Sequence, residues 1–224
     1  REATDLEYAA MIKTALDMYT LTPQQIDGAI MASVVPTITN TLKRAIEKLI
    51  GIETLVVGPG IKSGLSIRID NPAQLGSDLV AEAVGALQEY PLPQIIIDMG
   101  TATTFSVIDQ HGFYVGGMIT AGMAISAEAL VRSTSQLSKV DFEKPKKLIG
   151  TNTVDCIKSG LMYATACSID GMAERIEAEL GQPCTVIITG GLAGVIKPLC
   201  KRGMILDEDL ILKGLLHIYH KNCR

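Results

Sequence analysis

No apolar run in this 224-residue chain approaches the ~20 residues that a membrane-spanning helix needs. The opening residues hold no leader-like apolar stretch, so the chain is expected to work in the cytoplasm, away from membranes. Its five cysteines (Cys156, Cys167, Cys184, Cys200 and Cys223) are odd in number and show no Cys-x-x-Cys spacing. That excludes a disulfide framework or a zinc ribbon and fits incidental thiols of a reducing compartment. The three histidines form no metal-binding cluster, and His217 and His220 are expected on the surface of a terminal helix. Charge is equally unpatterned. Lys and Arg number 20 against 24 Asp and Glu. The densest basic patch, Lys144 to Lys147, is interrupted by Pro145 and is expected in a solvated loop, so no nucleic-acid footprint is present.

What the chain does hold is 47% hydrophobic residues and 21 glycines, enough core for one large domain or two small lobes. Its organising stretch is Ile95-Ile96-Ile97-Asp98-Met99-Gly100-Thr101-Ala102-Thr103-Thr104-Phe105. The isoleucines predict a buried strand, Gly100 a tight turn, and Thr103 to Ile108 a second strand. Gln110-His111-Gly112 turns that strand into a third, Phe113 to Ile119. Asp98, Gly100, Thr101 and Thr103 are therefore expected at one hairpin tip. Such a tip is either an ordinary Asp-x-Gly corner or a place where glycine lets a phosphate approach the backbone, hydroxyls donate to it, and the carboxylate holds a cation.

Before this centre, Leu6 to Met18 has a helical period, and Thr22-Pro23-Gln24-Gln25 reads as a capping box opening a short turn. Gly28 to Val35 is predicted as a strand stopped by Pro36, Thr39 to Ile50 as an amphipathic helix, and Thr54 to Val57 as the next strand. Gly58-Pro59-Gly60-Ile61-Lys62-Ser63-Gly64 has neither the spacing of a dinucleotide fingerprint nor the Gly-Lys-Ser/Thr of a Walker loop, and no helix is predicted after it. Gln74 to Asp78 enters a helix running to about Glu89, with Val80, Ala83, Val84 and Leu87 buried. Asp78 in its first turn either complements the helix dipole or serves as a general base.

Beyond the centre, Gly116 to Gly122 closes a strand and leads into a helix from about Ser126 to Thr134, then a polar loop from Ser135 to Ile149. Asn152, with Asp155 three residues on, caps the longest helix, which reaches about Leu180. A stripe of Ile157, Leu161, Ala164, Ser168, Gly171, Arg175 and Ile176 runs along it. Thr185 to Thr189 is a buried strand, followed by Gly190-Gly191, a helix to Leu199, and a closing helix from Leu210 to Tyr219.

In this order, Gly-Pro-Gly-Ile-Lys-Ser-Gly, Asp-Asn-Pro-Ala-Gln-Leu-Gly-Ser-Asp, Asp-Met-Gly-Thr-Ala-Thr-Thr-Phe, Gly-Thr-Asn-Thr and Thr-Gly-Gly-Leu-Ala resemble the type III pantothenate kinases, from about Glu7 to Asn222. The resemblance implies an α/β fold of two ribonuclease-H-like lobes of the actin, Hsp70 and sugar-kinase type around an ATP cleft, here divided as residues 1–92 and 93–224. It implies transfer of the ATP γ-phosphate to pantothenate, the first step of coenzyme A biosynthesis, by a homodimer using Mg²⁺ and a monovalent cation, K⁺ or NH₄⁺. Matched residue by residue, Asp78 is the general base, and Gly76, Ser77, Asp78 and Leu79 line pantothenate. Asp98 is the monovalent-cation ligand, and Gly100 and Thr101 contact ATP. Gly190 and Gly191 sit where adenosine is held, and Thr153 contacts substrate across the dimer.

Two departures stand out. Leu79 occupies a place where the family usually has Arg, which removes a charged contact to the pantothenate carboxylate. The superfamily's first Asp-x-Gly-Asn-Thr hairpin, which grips the ATP phosphates, is absent from these 224 residues, which open at Arg1 rather than Met. The first lobe is therefore expected to be incomplete and the chain as given to turn over poorly. The resemblance also admits a Bvg accessory factor-like regulator without kinase activity, and Leu79 leaves open a kinase for another small polar alcohol.

Overall fold

The computed structural model describes residues 3–133 and 141–223. Residues 134–140, which include the predicted helix end at Thr134 and the start of the loop expected from Ser135, lie outside the described residues. In chain order the elements are α1 (Asp5–Met18), β1 (Ala29–Met31), α2 (Pro36–Ile50), β2 (Thr54–Val56), β3 (Ser66–Ile67) and α3 (Ser77–Glu89). Then come β4 (Gln94–Met99), β5 (Ala102–Ile108), β6 (Phe113–Ala121), α4 (Met123–Arg132) and α5 (Thr153–Leu180). The chain finishes with β7 (Thr185–Thr189), α6 (Ala193–Ile196), β8 (Ile205–Leu206) and α7 (Leu210–Asn222). These elements pack into two compact units that are not contiguous in sequence.

One unit comprises Arg1–Gly64, Asn71–Gly85 and Ile211–Arg224. Its β1 and β2 pair in parallel, Ala29 against Thr54 through Met31 against Val56. The strand expected over Gly28 to Val35 shrinks to three residues. Pro36 does not merely stop it: with φ preset near the helical value and no N–H to satisfy, it opens α2 three residues earlier than the pattern predicted. Gly51 closes α2 in the left-handed conformation, its N–H bonded to the Glu47 carbonyl at 2.9 Å. In α1 the predicted period (Leu6, Ala9, Ala10, Lys13, Leu16) is buried only in part: Ala9 is buried and Leu16 half-buried, while Leu6 is 74% exposed. That helix is secured by a capping box of Thr4 and Glu7. The turn Pro23–Gln25 carries the predicted Thr22–Gln25 capping box. α7 crosses α3 at Gly214, where an added Cβ would overlap the Ala81 carbonyl, so only glycine permits this approach.

The other unit comprises Leu65–Asp70 and Ala86–Leu210. Its six strands run in the order β3-β6-β5-β4-β7-β8. β4, β5 and β6 form an antiparallel meander, and β4, β7 and β8 are mutually parallel. That arrangement of β6-β5-β4-β7-β8 is the ribonuclease-H-like lobe, and the α/β class expected from the sequence is the one observed. Ile95, Ile97, Met99 and Phe105 pack with Met162, Ile169, Val186, Ile188 and Ile196 into the core. The buried side of α5 is Ser159, Met162, Ala166, Ile169 and Ala173, a helical period offset from the stripe read in the sequence. Ala164, Ser168 and Arg175 of that stripe are exposed. α4 begins at Met123, directly after Gly122, because Gly122 itself serves as its N-cap.

Candidate functional site

Two carboxylates carry the site expectations, one in each unit. Asp98 ends β4, half-buried, and lies in register with Thr104 of β5 on one side and Thr189 of β7 on the other. Its surroundings are made by glycines from three strand ends. A Cβ on Gly190, whose φ is +91°, would overlap Asp98 Oδ1 and stand 2.6 Å from Met99 N. One on Gly100 would lie 3.1 Å from Asp98 Oδ2, and one on Gly122 would sit 2.7 Å from the Gly100 carbonyl. Side chains are thus excluded around Asp98, Gly100 and Thr101, and backbone groups close in instead. The Gly100 N–H spans the turn to the Ala102 carbonyl at 3.1 Å, and Thr101 is exposed at the tip.

One expectation about this tip is corrected. Thr103 was grouped with Asp98, but the strand period of two sends Thr103 to the other face, where with Phe105 it lines a cavity of about 400 Å³ against α5. Thr104 shares the face of Asp98, because directly paired cross-strand residues do. Its Oγ1 is buried with no hydrogen-bond partner. A carboxylate, an unpartnered buried hydroxyl and nearby carbonyls form a hard-oxygen donor set, and these residues fit a small hard cation. Among the described residues no group of three or more His, Cys, Asp or Glu could hold a metal.

Asp78 stands in the first turn of α3, half-buried, its Oδ1 accepting the Leu79 N–H at 2.8 Å. Gly76 is required beside it, because an added Cβ would overlap that oxygen. Ser77 ties the helix start to the loop after β1 by a reciprocal pair. The Ser33 N–H donates to Ser77 Oγ at 3.0 Å, and Ser77 Oγ donates to the Ser33 carbonyl at 3.0 Å. Thr39 adds a bond to Ser33 Oγ at 2.6 Å. The predicted residues Gly76 to Leu79 therefore form one local structure that also includes Ser33 and Val34, which no motif singles out. As expected, the Gly58–Gly64 loop leads into no dinucleotide-type helix: Gly60 turns it with φ +94°, and the next strand is Ser66–Ile67.

Of the remaining expected residues, Gly191 is exposed with nothing within 4 Å of an added Cβ. Thr153 is exposed at the first position of α5, behind the cap in which Asn152 Oδ1 accepts the Asp155 N–H at 2.9 Å. The small stripe of α5 borders the cavity through Gly160, Leu161, Ala164 and Ser168. Away from these residues, burial and then the charge of Asp170 push the Cys200 thiol up to about 12, leaving it unreactive at neutral pH.

A family model described as type III pantothenate kinase matches residues 1–175. The chain is 40% identical over 222 residues to a type III pantothenate kinase of Halalkalibacterium halodurans, covering 99% of this chain and 87% of that protein. Against proteins of the same name from Bacillus cytotoxicus and Moorella thermoacetica the identities are 42% and 39%, over 85% and 87% of their lengths. In fold, it is similar to a crystal structure described as of the Baf family of transcriptional activators, from Campylobacter jejuni. The TM-score is 0.58 and the identity 18%, covering 93% of this chain and 88% of that one. Together with the glycine-walled hairpin and the Gly-Ser-Asp helix start, these matches establish that the chain belongs to the type III pantothenate kinase family.

Proposed function

We propose that this protein phosphorylates pantothenate with ATP, giving 4'-phosphopantothenate in the first step of coenzyme A biosynthesis. The family match over residues 1–175 carries this reading. Asp78 accepts the proton of the pantothenate hydroxyl as that oxygen bonds to the γ-phosphorus and the bond to the ADP oxygen breaks. Gly76 to Leu79 hold the acceptor against the carboxylate, whose own position is fixed by the Leu79 N–H. Gly100, Thr101, Gly190 and Gly191 take the nucleotide, because backbone stripped of side chains can approach phosphate and sugar closely. Asp98, with Thr104, holds the monovalent cation, and Thr153 reaches substrate in a homodimer built around α5.

When bound, Mg²⁺ and the monovalent cation supply positive charge against the phosphate oxygens. With no three-ligand protein cluster among the described residues, Mg²⁺ is taken with the nucleotide phosphates, as that ion's retained hydration favours. No helix among the described residues is long and apolar enough to cross a membrane, and a cytoplasmic biosynthetic role accords with that. The test is ADP release on adding pantothenate, MgATP and K⁺ or NH₄⁺ to a version of the protein that carries the superfamily's first phosphate-gripping hairpin. A pantothenate-dependent rate supports the reading, and a rate seen only with other alcohols defeats it.

A further inference from the structure

We infer that Val34 is a specificity-determining residue that packs against the geminal methyl groups of pantothenate. The inference rests on the proposed reaction at Asp78. Val34 is 59% exposed, in the loop that leaves β1 at its carboxyl end, where parallel strands place their ligands. A Cβ added at Gly76 would overlap Asp78 Oδ1 and lie 3.6 Å from Val34 Cγ1, so the two side chains border the same space beside Gly76.

Val34 is held there. Besides the reciprocal Ser33–Ser77 pair, Thr39 Oγ1 donates to the Val35 carbonyl at 2.9 Å, and the Val35 N–H donates to Ser33 Oγ at 3.3 Å. Val34 is therefore bracketed on both sides by backbone anchored to α2 and α3, with its side chain left toward solvent beside the carboxylate.

The substrate supplies the complement. In pantothenate the reacting CH₂OH is bonded directly to a quaternary carbon that carries two methyls, only three bonds from the hydroxyl oxygen. A hydroxyl within the ~2.6–3.2 Å reach of its base carries those methyls into the space beside Asp78 that Val34 borders. An exposed apolar side chain there, on a loop that cannot swing away, removes methyl surface from water when substrate binds. Val34 thus separates alcohols with a branched carbon next to the reacting group from linear ones.

The experiment is calorimetric binding of pantothenate, and of the analogue with hydrogens in place of both methyls, to wild type, Val34→Ala and Val34→Ile. One or two methyls in an apolar contact are worth roughly 10–200-fold in discrimination. Wild type and Val34→Ile should prefer pantothenate at least tenfold, and Val34→Ala should reduce the preference to within about threefold. Thermal midpoint and ATP binding should stay unchanged, as the side chain is exposed. A wild type without preference, or a Val34→Ala variant that keeps it in full, overturns the inference. If wild type binds neither compound while still binding ATP, the pantothenate reading itself has failed, a result distinct from either.

Discussion

Asp78 and Asp98 are both half-buried carboxylates at the end of a secondary-structure element, yet they are built in opposite ways. Asp78 is positioned by donors. The Leu79 N–H fixes one oxygen, and hydroxyls of Ser33, Ser77 and Thr39 fix the backbone on either side. Asp98 sits instead among close-packed backbone: a Cβ on Gly122 or Gly190 would overlap main-chain atoms, and one on Gly100 would lie 3.1 Å from its carboxylate. The contrast accords with the roles proposed for the two carboxylates. A general base must keep a defined direction toward one proton, whereas a cation ligand needs only a dense field of oxygens at contact distance.

The largest effect should come from removing the proton acceptor while keeping the shape. In a version that carries the superfamily's first phosphate-gripping hairpin, the background for the Asp98 variant below as well, Asp78→Asn should lower kcat by about 10² to 10⁴ with little change in thermal midpoint. Normal turnover with a lost fraction of a kcal/mol would instead mark Asp78 as a helix-dipole partner. Next, Gly190→Ala attacks that close packing directly. It combines an unfavourable φ of +91° with overlap on Asp98, and should cost on the order of 2–3 kcal/mol in chemical denaturation. Gly191→Ala, with open space around it, should cost far less.

Asp98→Asn keeps the shape of the hairpin and should weaken activation by K⁺ about tenfold, a shift of roughly 1.4 kcal/mol, while the fold stays intact. An unchanged K⁺ titration would remove Asp98 from the cation site.

A third carboxylate sharpens the comparison because protein groups alone occupy it. Burial works to raise the pKa of Glu177, but the Cys184 N–H at 2.9 Å and the Arg202 guanidinium at 2.7 Å hold it below its ordinary value. A depressed pKa stabilises the fold above the unfolded-state value, and that contribution fades as pH falls through the folded-state value. Arg202→Met should thus be about 1 kcal/mol less stable than wild type at pH 7, the gap closing below the usual glutamate range. No nucleotide dependence is expected of it.

The β4–β5 hairpin was legible because its signal is local. Three β-branched residues, a polar stop and a glycine specify strand, corner and strand without reference to distant segments. The parity of Thr103 and Thr104 was not, since it depends on which residue of β5 faces Met99 and which faces Asp98. α1 was legible only in part for a related reason: an apolar period shows which face could be buried, not how much of it, and Ala9 is buried while Leu6 is not. On α5 the stripe read from the sequence is offset from the buried side, and the core-facing residues Ser159 and Met162 went unnoticed because they do not stand out by composition. Val34 and Ser33 became visible only when chain segments 44 residues apart met at Ser77.

The packing of the unit that holds Asp78 also has a consequence for synthesis. Its last segment, α7, supplies Tyr219, whose hydroxyl bonds to the Asp27 carbonyl and whose ring fills the space a Cβ on Gly28 would need. Asn222 pairs with both backbone groups of Lys62 at 3.1 Å. A ribosome must therefore translate the whole of Ala86–Leu210 before the N-terminal unit can close, a wait on the order of ten seconds. During that interval the β4–β8 sheet can already assemble, so the unit made first is completed last. A nonsense codon just ahead of α7 would accordingly spoil the unit that holds Asp78, leaving the β4–β8 sheet whole.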